Sequence, residues 1–194
     1  MNQTPVSLLD RLKVAKPDAA EWRRLQDIYQ PLIRAWLARV PALGDEAHDL
    51  TQEVFLVVIR ELPRFERLRE GSFRTWLRRV TVNRVRTFFK QRGRQPAAGQ
   101  ADGTEGFLSQ LEDPASNLAK EWDRQHDEHV FHKVLSCIES DVSPTAWEAF
   151  RRSAVDGQPT AEVAAALGIS ENAVLIAKFR VLKRLRAEAA GLVD

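Results

Sequence analysis

With 194 residues, 44% of them hydrophobic and 29% charged, the chain has the composition of a globular protein of one large or two small domains. A net charge of only +2 excludes a uniformly basic protein, so any strongly cationic surface must be local and balanced by acid elsewhere. No apolar run approaches the ~20 residues of a membrane span, the N-terminal MNQTPVSLLDRLK lacks a signal-peptide pattern, and the lone Cys137 excludes an internal disulfide; a reduced, cytoplasmic setting without membrane insertion is expected.

Residues 1–17 read as a loosely held N-terminal extension, with Pro5 and Pro17 as breaks. From Asp18 a helix is predicted. Trp22, Leu25, Ile28, Tyr29, Leu32, Ile33, Trp36 and Leu37 keep the three-and-four spacing of one buried face. Pro31 lies inside this pattern and is expected to kink or split it. After a turn at Pro41–Gly44, Asp45 is the predicted cap of a second helix ending near Leu62. Leu50, Val54, Val57 and Val58 form one apolar stripe, and Phe55, Ile59 and Leu62 another, so this helix is predicted to be buried on most sides. Its remaining stripe, Asp49, Gln52, Glu53, Leu56 and Arg60, faces either solvent or a partner, and spacing alone favours solvent.

Pro63 ends that helix, and a connector leads to Gly71 and to SFRTWLRRVTVNRVRTFFKQRGR, residues 72–94. This stretch holds eight cations (Arg74, Arg78, Arg79, Arg84, Arg86, Lys90, Arg92, Arg94), no carboxylate, and four aromatics, Phe73, Trp76, Phe88 and Phe89. Ser72 is the predicted cap. Phe73, Trp76, Leu77 and Val80 share an apolar face; Thr75, Arg79, Asn83, Arg86 and Lys90 share a polar one. Solvated faces usually mix their signs, because opposite charges support one another. Cations alone repel unless a polyanion is near, and aromatics among them offer stacking surfaces to bases. The helix therefore points to nucleic-acid contact.

Residues 95–120 carry three glycines, two prolines and many small polar side chains and read as a linker. From Gln95 to Val130 eight acids face two bases. The segment either shields a nucleic-acid surface, mimics nucleic acid, or is simply a solvated linker. Helical spacing resumes near Lys120, with Val130, Val134 and Ile138 on one stripe. His126, His129 and His132 stand three apart, but the third turns away from the face of the first. They are expected as surface histidines, with no metal site and no cofactor.

Ser143 caps a short helix that begins at Pro144, and DGQP is a turn. TAEVAAALGISENAVLIAKFRVLKRLR then has the pattern of a helix-turn-helix. Thr160 opens the first helix; Gly168 permits a left-handed turn; Ile169 packs inward; Ser170 caps a second helix with Val174, Ala177, Val181 and Leu185 inside. The second helix of such a unit usually enters the DNA major groove.

DLTQEVFLVVIRELPRF (49–65), GSFRTWLRRVTVNRVRTFFKQR (71–92) and the helix-turn-helix from DGQPTAEVAAALGISENAV to RVLKRLR together resemble a bacterial RNA polymerase sigma factor of the extracytoplasmic-function (ECF) type. The resemblance covers about Asp18 to Arg186. It implies an all-α fold of two small helical domains, regions two and four, joined by a flexible acidic linker. The expected boundaries are 1–17 extension, 18–95 region two, 96–125 linker and 126–190 region four. The resemblance also implies that the second helix docks on a coiled coil of the core polymerase, through Asp49, Gln52, Glu53, Phe55 and Leu56. The acidic stripe thus becomes a partner surface. The basic helix is implied to bind and melt the minus-ten element with Arg74, Thr75, Trp76, Arg79, Asn83, Arg84, Arg86 and Lys90, the loop from Leu68 to Ser72 walling a base pocket. Region four is implied to contact an upstream promoter element through Ser170, Glu171, Asn172, Ala173, Leu175, Ile176, Lys178, Phe179, Arg180 and Lys183. Here the chain departs from the family: Leu175, Ile176 and Ala177 follow the buried valine, where Lys, Ser and Arg are common. These apolar side chains meet either thymine methyl groups or a protein.

The implied partners are core polymerase, promoter DNA and, as family members often have, an anti-sigma or other regulatory protein. No phosphate loop, dinucleotide fingerprint or HExxH motif occurs, and a non-catalytic factor is expected. Two other readings remain: a helix-turn-helix regulator that acts without polymerase, and an enzyme acting on nucleic acid.

Overall fold

The structure is a computed structural model and describes residues 7–16, 19–66, 72–91 and 100–193. Among these residues there are nine α-helices and no strand, as the helical spacing of the apolar side chains requires. The calls on Pro5, Pro17, Asp18, the 68–71 loop, the Ser72 side chain, Arg92 and Arg94 lie outside the described residues and side chains.

Helix α1 is Leu8–Val14. Ser7 caps it by accepting the Asp10 N–H at 3.2 Å, and Leu8, Leu9 and Leu12 are buried. From Ser7 onward the N-terminal segment is thus anchored, where the sequence suggested a loose start. Three leucines within five positions supply the apolar area that holds it.

Helix α2, Ala20–Leu37, runs unsplit through Pro31. One missing N–H is outweighed by burial, since Ile28, Tyr29, Leu32 and Ile33 on either side of the proline are all in the core. Helix α3, Ala47–Glu61, begins after a 3-10 turn at Gly44–Glu46. Asp45 falls within that turn and does not cap α3, whose N-cap is Glu46 without a side-chain bond. Helix α4 is Ser72–Gln91.

The expected linker is helical in its described part. Helix α5 is Gln100–Glu112, and α6 is Asn117–Asp141, 25 residues or about 37 Å long. Three α5 side chains explain the difference. Thr104, Leu108 and Leu111 repeat at four and three and are buried, and Thr104 Oγ1 donates to the Pro41 carbonyl at 2.8 Å.

Helix α6 lies antiparallel along α2. The pairs Arg24–Asp141 (3.6 Å), Tyr29–His126, Trp36–Trp122 (rings 5.0 Å apart) and Arg39–Glu121 (3.2 Å) mark successive steps along it. The same helix packs on the C-terminal unit and runs unbroken across position 125.

That unit comprises α7, Pro144–Phe150, then α8, Thr160–Leu167, and α9, Glu171–Ala189. Its punctuation follows the local sequence. Ser143 accepts from the Ala146 N–H, and Ser170 from the Ala173 N–H. Gly168 sits at φ 64°, a conformation costly for any side chain with a Cβ, and lets α8 and α9 meet at 105°. A small core of Ala149, Val163, Ala164, Val174 and Ala177 holds the three helices. The main core is shared by both halves of the chain. Leu12, Trp36, Val54, Phe73, Leu108, Trp122, Phe150, Val181 and Leu192 belong to one cluster. No single helix among the described residues is long and apolar enough to cross a membrane.

Candidate nucleic-acid interface

The start of α4 is fixed by aromatic packing. Phe65 lies 5.7 Å from Phe73 and 5.2 Å from Trp76, and Tyr29 meets the Phe73 ring edge-on at 5.5 Å. Phe73 and Leu77 are buried, Trp76 and Val80 half-buried, so the predicted apolar face points inward. Phe88 and Phe89 are half-buried and pack against the same core.

The polar side of α4 is divided in two. One part borders an open groove of about 360 Å³ between α3 and α4. Arg79 and Asn83 are exposed there, beside Trp76, Arg84, Thr87, Val57, Arg60 and Glu61. Across it Arg84 Nη2 is 2.6 Å from Glu53. With Arg60 paired to Glu61 and Arg84 to Glu53, the net positive charge of the groove rests on Arg79, beside the aromatic wall of Trp76.

The other part faces α5 and α6. Arg74 reaches Asp127 at 2.6 Å and Asp123 at 3.3 Å. Arg78 is 3% exposed and donates to Asp123 at 2.9 Å and to the Ala119 carbonyl. Burial pushes the Arg78 pKa down, against the opposing pull of Asp123. Arg86 is 2.7 Å from both Glu105 and Glu112. Its hydrogen bond holds the Glu105 carboxyl below its ordinary pKa, and Glu105 in turn raises that of Arg86. The acidic excess of the middle segment therefore covers Arg74, Arg78 and Arg86. Thr75 is half-buried and Lys90 exposed.

The acidic stripe of α3 also divides. Asp49 is exposed, Gln52 half-buried, and Leu56 is 66% exposed. Phe55 is only 5% exposed and belongs to the core, so of the two apolar residues expected on this face Leu56 alone projects. Phe55 continues the buried stripe of Ile59 and Leu62.

On α9, Ser170, Glu171, Asn172, Leu175, Ile176, Phe179, Arg180 and Lys183 are exposed and Ala173 half-buried. Lys178 turns inward, its Nζ donating to the Ser153 carbonyl at 3.4 Å; it leaves the outer face because Val174 and Ala177 beside it are core positions.

Histidines expected on a helix surface behave differently. His126 is fully buried. Its Nδ1–H donates to Asp127 at 2.9 Å, and its Nε2 accepts from Tyr29 at 3.2 Å, an assignment set by the carboxylate. His129 donates to the Ile28 carbonyl at 2.7 Å, and only His132 is exposed. Burial lowers the His126 pKa, against the opposing Asp127. Burial alone raises the Asp127 pKa, but hydrogen bonds from His126 and Arg74 outweigh it, and the net shift is downward. The spacing does carry a signal, since His126 stands four residues before Val130 on the buried stripe of Val130, Val134 and Ile138 and His132 falls off it; its partner Tyr29 lies 97 residues away.

Comparison with known proteins matches residues 25–95 to sigma-70 region 2. The ECF RNA polymerase sigma-E factor of Escherichia coli K12 is 24% identical over 188 residues, 93% of each chain. The protein of the same name from Salmonella typhimurium LT2 aligns equally. The RNA polymerase sigma-H factor of Pseudomonas aeruginosa is 28% identical over 121 residues, 59% of this chain and 60% of that protein. The region 2 match falls on the helices that form the groove, and the sigma-E alignments cover 93% of the chain; along its length the chain is similar to sigma factors of the ECF type.

Proposed function

We propose that the chain joins core RNA polymerase through the outer face of α3, carries it to promoters, and opens DNA along α4. Asp49 and Leu56, exposed on one face of α3 two turns apart, suit a basic partner helix with an apolar stripe. Arg79, Asn83 and Arg84 contact the backbone and an unpaired base, and Trp76 forms the planar wall of the groove. Lys90 extends this track, whereas Arg74 and Arg86 are held by carboxylates of α5 and α6 in the free protein and Thr75 is half-buried. Region two comprises 18–95 and region four 126–190, and α9 meets the upstream element. Nucleotide chemistry stays with the polymerase, and the work is cytoplasmic. An anti-sigma protein that silenced the factor would have to cover the α3 face or the α4 groove.

The observation that carries this reading is the open cationic groove, formed by the two helices matched to region 2. It is tested by co-elution of the full chain with core polymerase on a sizing column. Wild type is expected to co-elute, and Asp49→Lys with Leu56→Arg to lose it. Glu53 is left intact because it pairs with Arg84. Equal co-elution of the variant would move the docking face elsewhere; absence of binding by the wild type would end the polymerase reading.

A further inference from the structure

Placing α9 at the upstream element does not say what the apolar side chains on its outer face read. Asn172, Leu175, Ile176, Phe179, Lys183 and Arg186 lie within an arc of about 100° on this helix. All six are exposed, with Leu175 at 53%, Ile176 at 41% and Phe179 at 65%. The opposite side is committed to packing, since Val174, Ala177, Val181 and Leu185 are buried. Three large apolar side chains in the middle of an exposed helix face mark a contact surface.

Charge selects the occupant. The arc continues into Lys183 and Arg186 and holds no carboxylate, with Arg180 and Glu171 each about 40° outside its two edges. Glu171 is off the arc and Glu188 points to the other side, 2.8 Å from Arg11. The surface is apolar in its N-terminal half and cationic toward its C-terminal end. In a helix-turn-helix the N-terminal half of the second helix meets base edges, while cations beyond it meet phosphates. The apolar group that base edges display in the major groove is the thymine 5-methyl.

We infer that α9 reads a thymine-bearing upstream element by packing Leu175, Ile176 and Phe179 against thymine methyl groups, with Lys183 and Arg186 on the flanking phosphates. This rests on the sigma-factor reading proposed above.

The test uses holoenzyme reconstituted from the full chain and core polymerase, with a duplex library randomised over the promoter length. Selected duplexes are then remade with deoxyuridine for thymine, which removes the methyl and leaves base pairing intact. Thymine at two or three clustered upstream positions is expected, with roughly fourfold weaker binding per methyl removed. Leu175→Ala with Ile176→Ala and Phe179→Ala should bind thymine and uracil duplexes equally while keeping the wild-type melting temperature, because all three side chains are exposed. Three outcomes overturn the inference: no upstream thymine in the selected sequences, equal wild-type binding of thymine and uracil duplexes, or selection of a downstream element alone, which would assign the apolar face to a protein. Loss of polymerase association by the wild type would instead sink the sigma-factor reading and this inference with it.

Discussion

A neutral histidine sits where two halves of the chain meet. His126 on α6 is enclosed by Tyr29 from α2 and by Asp127, with Arg74 and Asp123 the nearest further charges. Its lowered pKa fixes the sign of a pH effect. The unfolded chain takes up a proton near the ordinary value of about 6.5, while the folded chain resists until lower pH. The contribution to stability is therefore full above the ordinary histidine value and is lost as pH falls below it. The lowered pKa of Asp127 acts in the same direction but only in the acidic range of carboxylates. Thermal melts between pH 7.5 and 5.5 should show a falling midpoint. His126→Gln, which keeps an amide to face Tyr29 and Asp127, should start lower and slope less. An identical slope in the variant would place the titrating group elsewhere.

Helix α5 shows how an element can exist against its own propensity. Gly103, Gly106 and Asp102 disfavour a helix, and the same composition made the segment read as a linker. Tertiary contact overrides this, through Thr104, Leu108 and Leu111 in the core and Arg86 on the outer side. Exposed ion pairs add little stability, so Glu105→Gln with Glu112→Gln should leave the melting temperature nearly unchanged. The charge they place over α4 should matter more. Full-length double variant is expected to bind a single-stranded oligonucleotide roughly twofold to tenfold tighter at low salt, with the difference shrinking as salt rises. Unchanged affinity in a filter-binding titration would mean that α5 does not compete with nucleic acid. Much else at this scale was legible in the sequence. The caps Ser143 and Ser170, the left-handed Gly168 and the inner stripe of α9 depend on neighbours within a few residues, and local spacing reveals them. Pairings such as Arg78–Asp123 or Arg84–Glu53 depend on how helices far apart in sequence settle against each other. For that reason the charge balance between the basic helix and the acidic segment was readable, while the particular partners were not. Thr104, Leu108 and Leu111 carry the one signal for α5, a four-and-three spacing among glycines.

At the scale of the whole molecule, region two and the helix-turn-helix do not hang from a tether. One core cluster contains Leu12 of α1, Trp36 of α2, Trp122 of α6 and Val181 of α9, and Arg11 reaches Glu188 at 2.8 Å to join the two ends of the chain. The continuous α6 helix, seated along α2 from Arg39 to Arg24 and against α9 at Arg184, then behaves as a phase-locked shaft. A coil between domains absorbs an inserted residue with little effect. A packed helix cannot, because each added residue rotates everything beyond it by about 100° and advances it by about 1.5 Å. One alanine inserted after Asp127 should swing Val130, Val134 and Ile138 out of the core and lower the melting temperature sharply, whereas an insertion at exposed Asp113, between α5 and α6, should be tolerated. The reading frame of α6, as much as any single contact in it, sets where the α4 groove and the outer face of α9 stand.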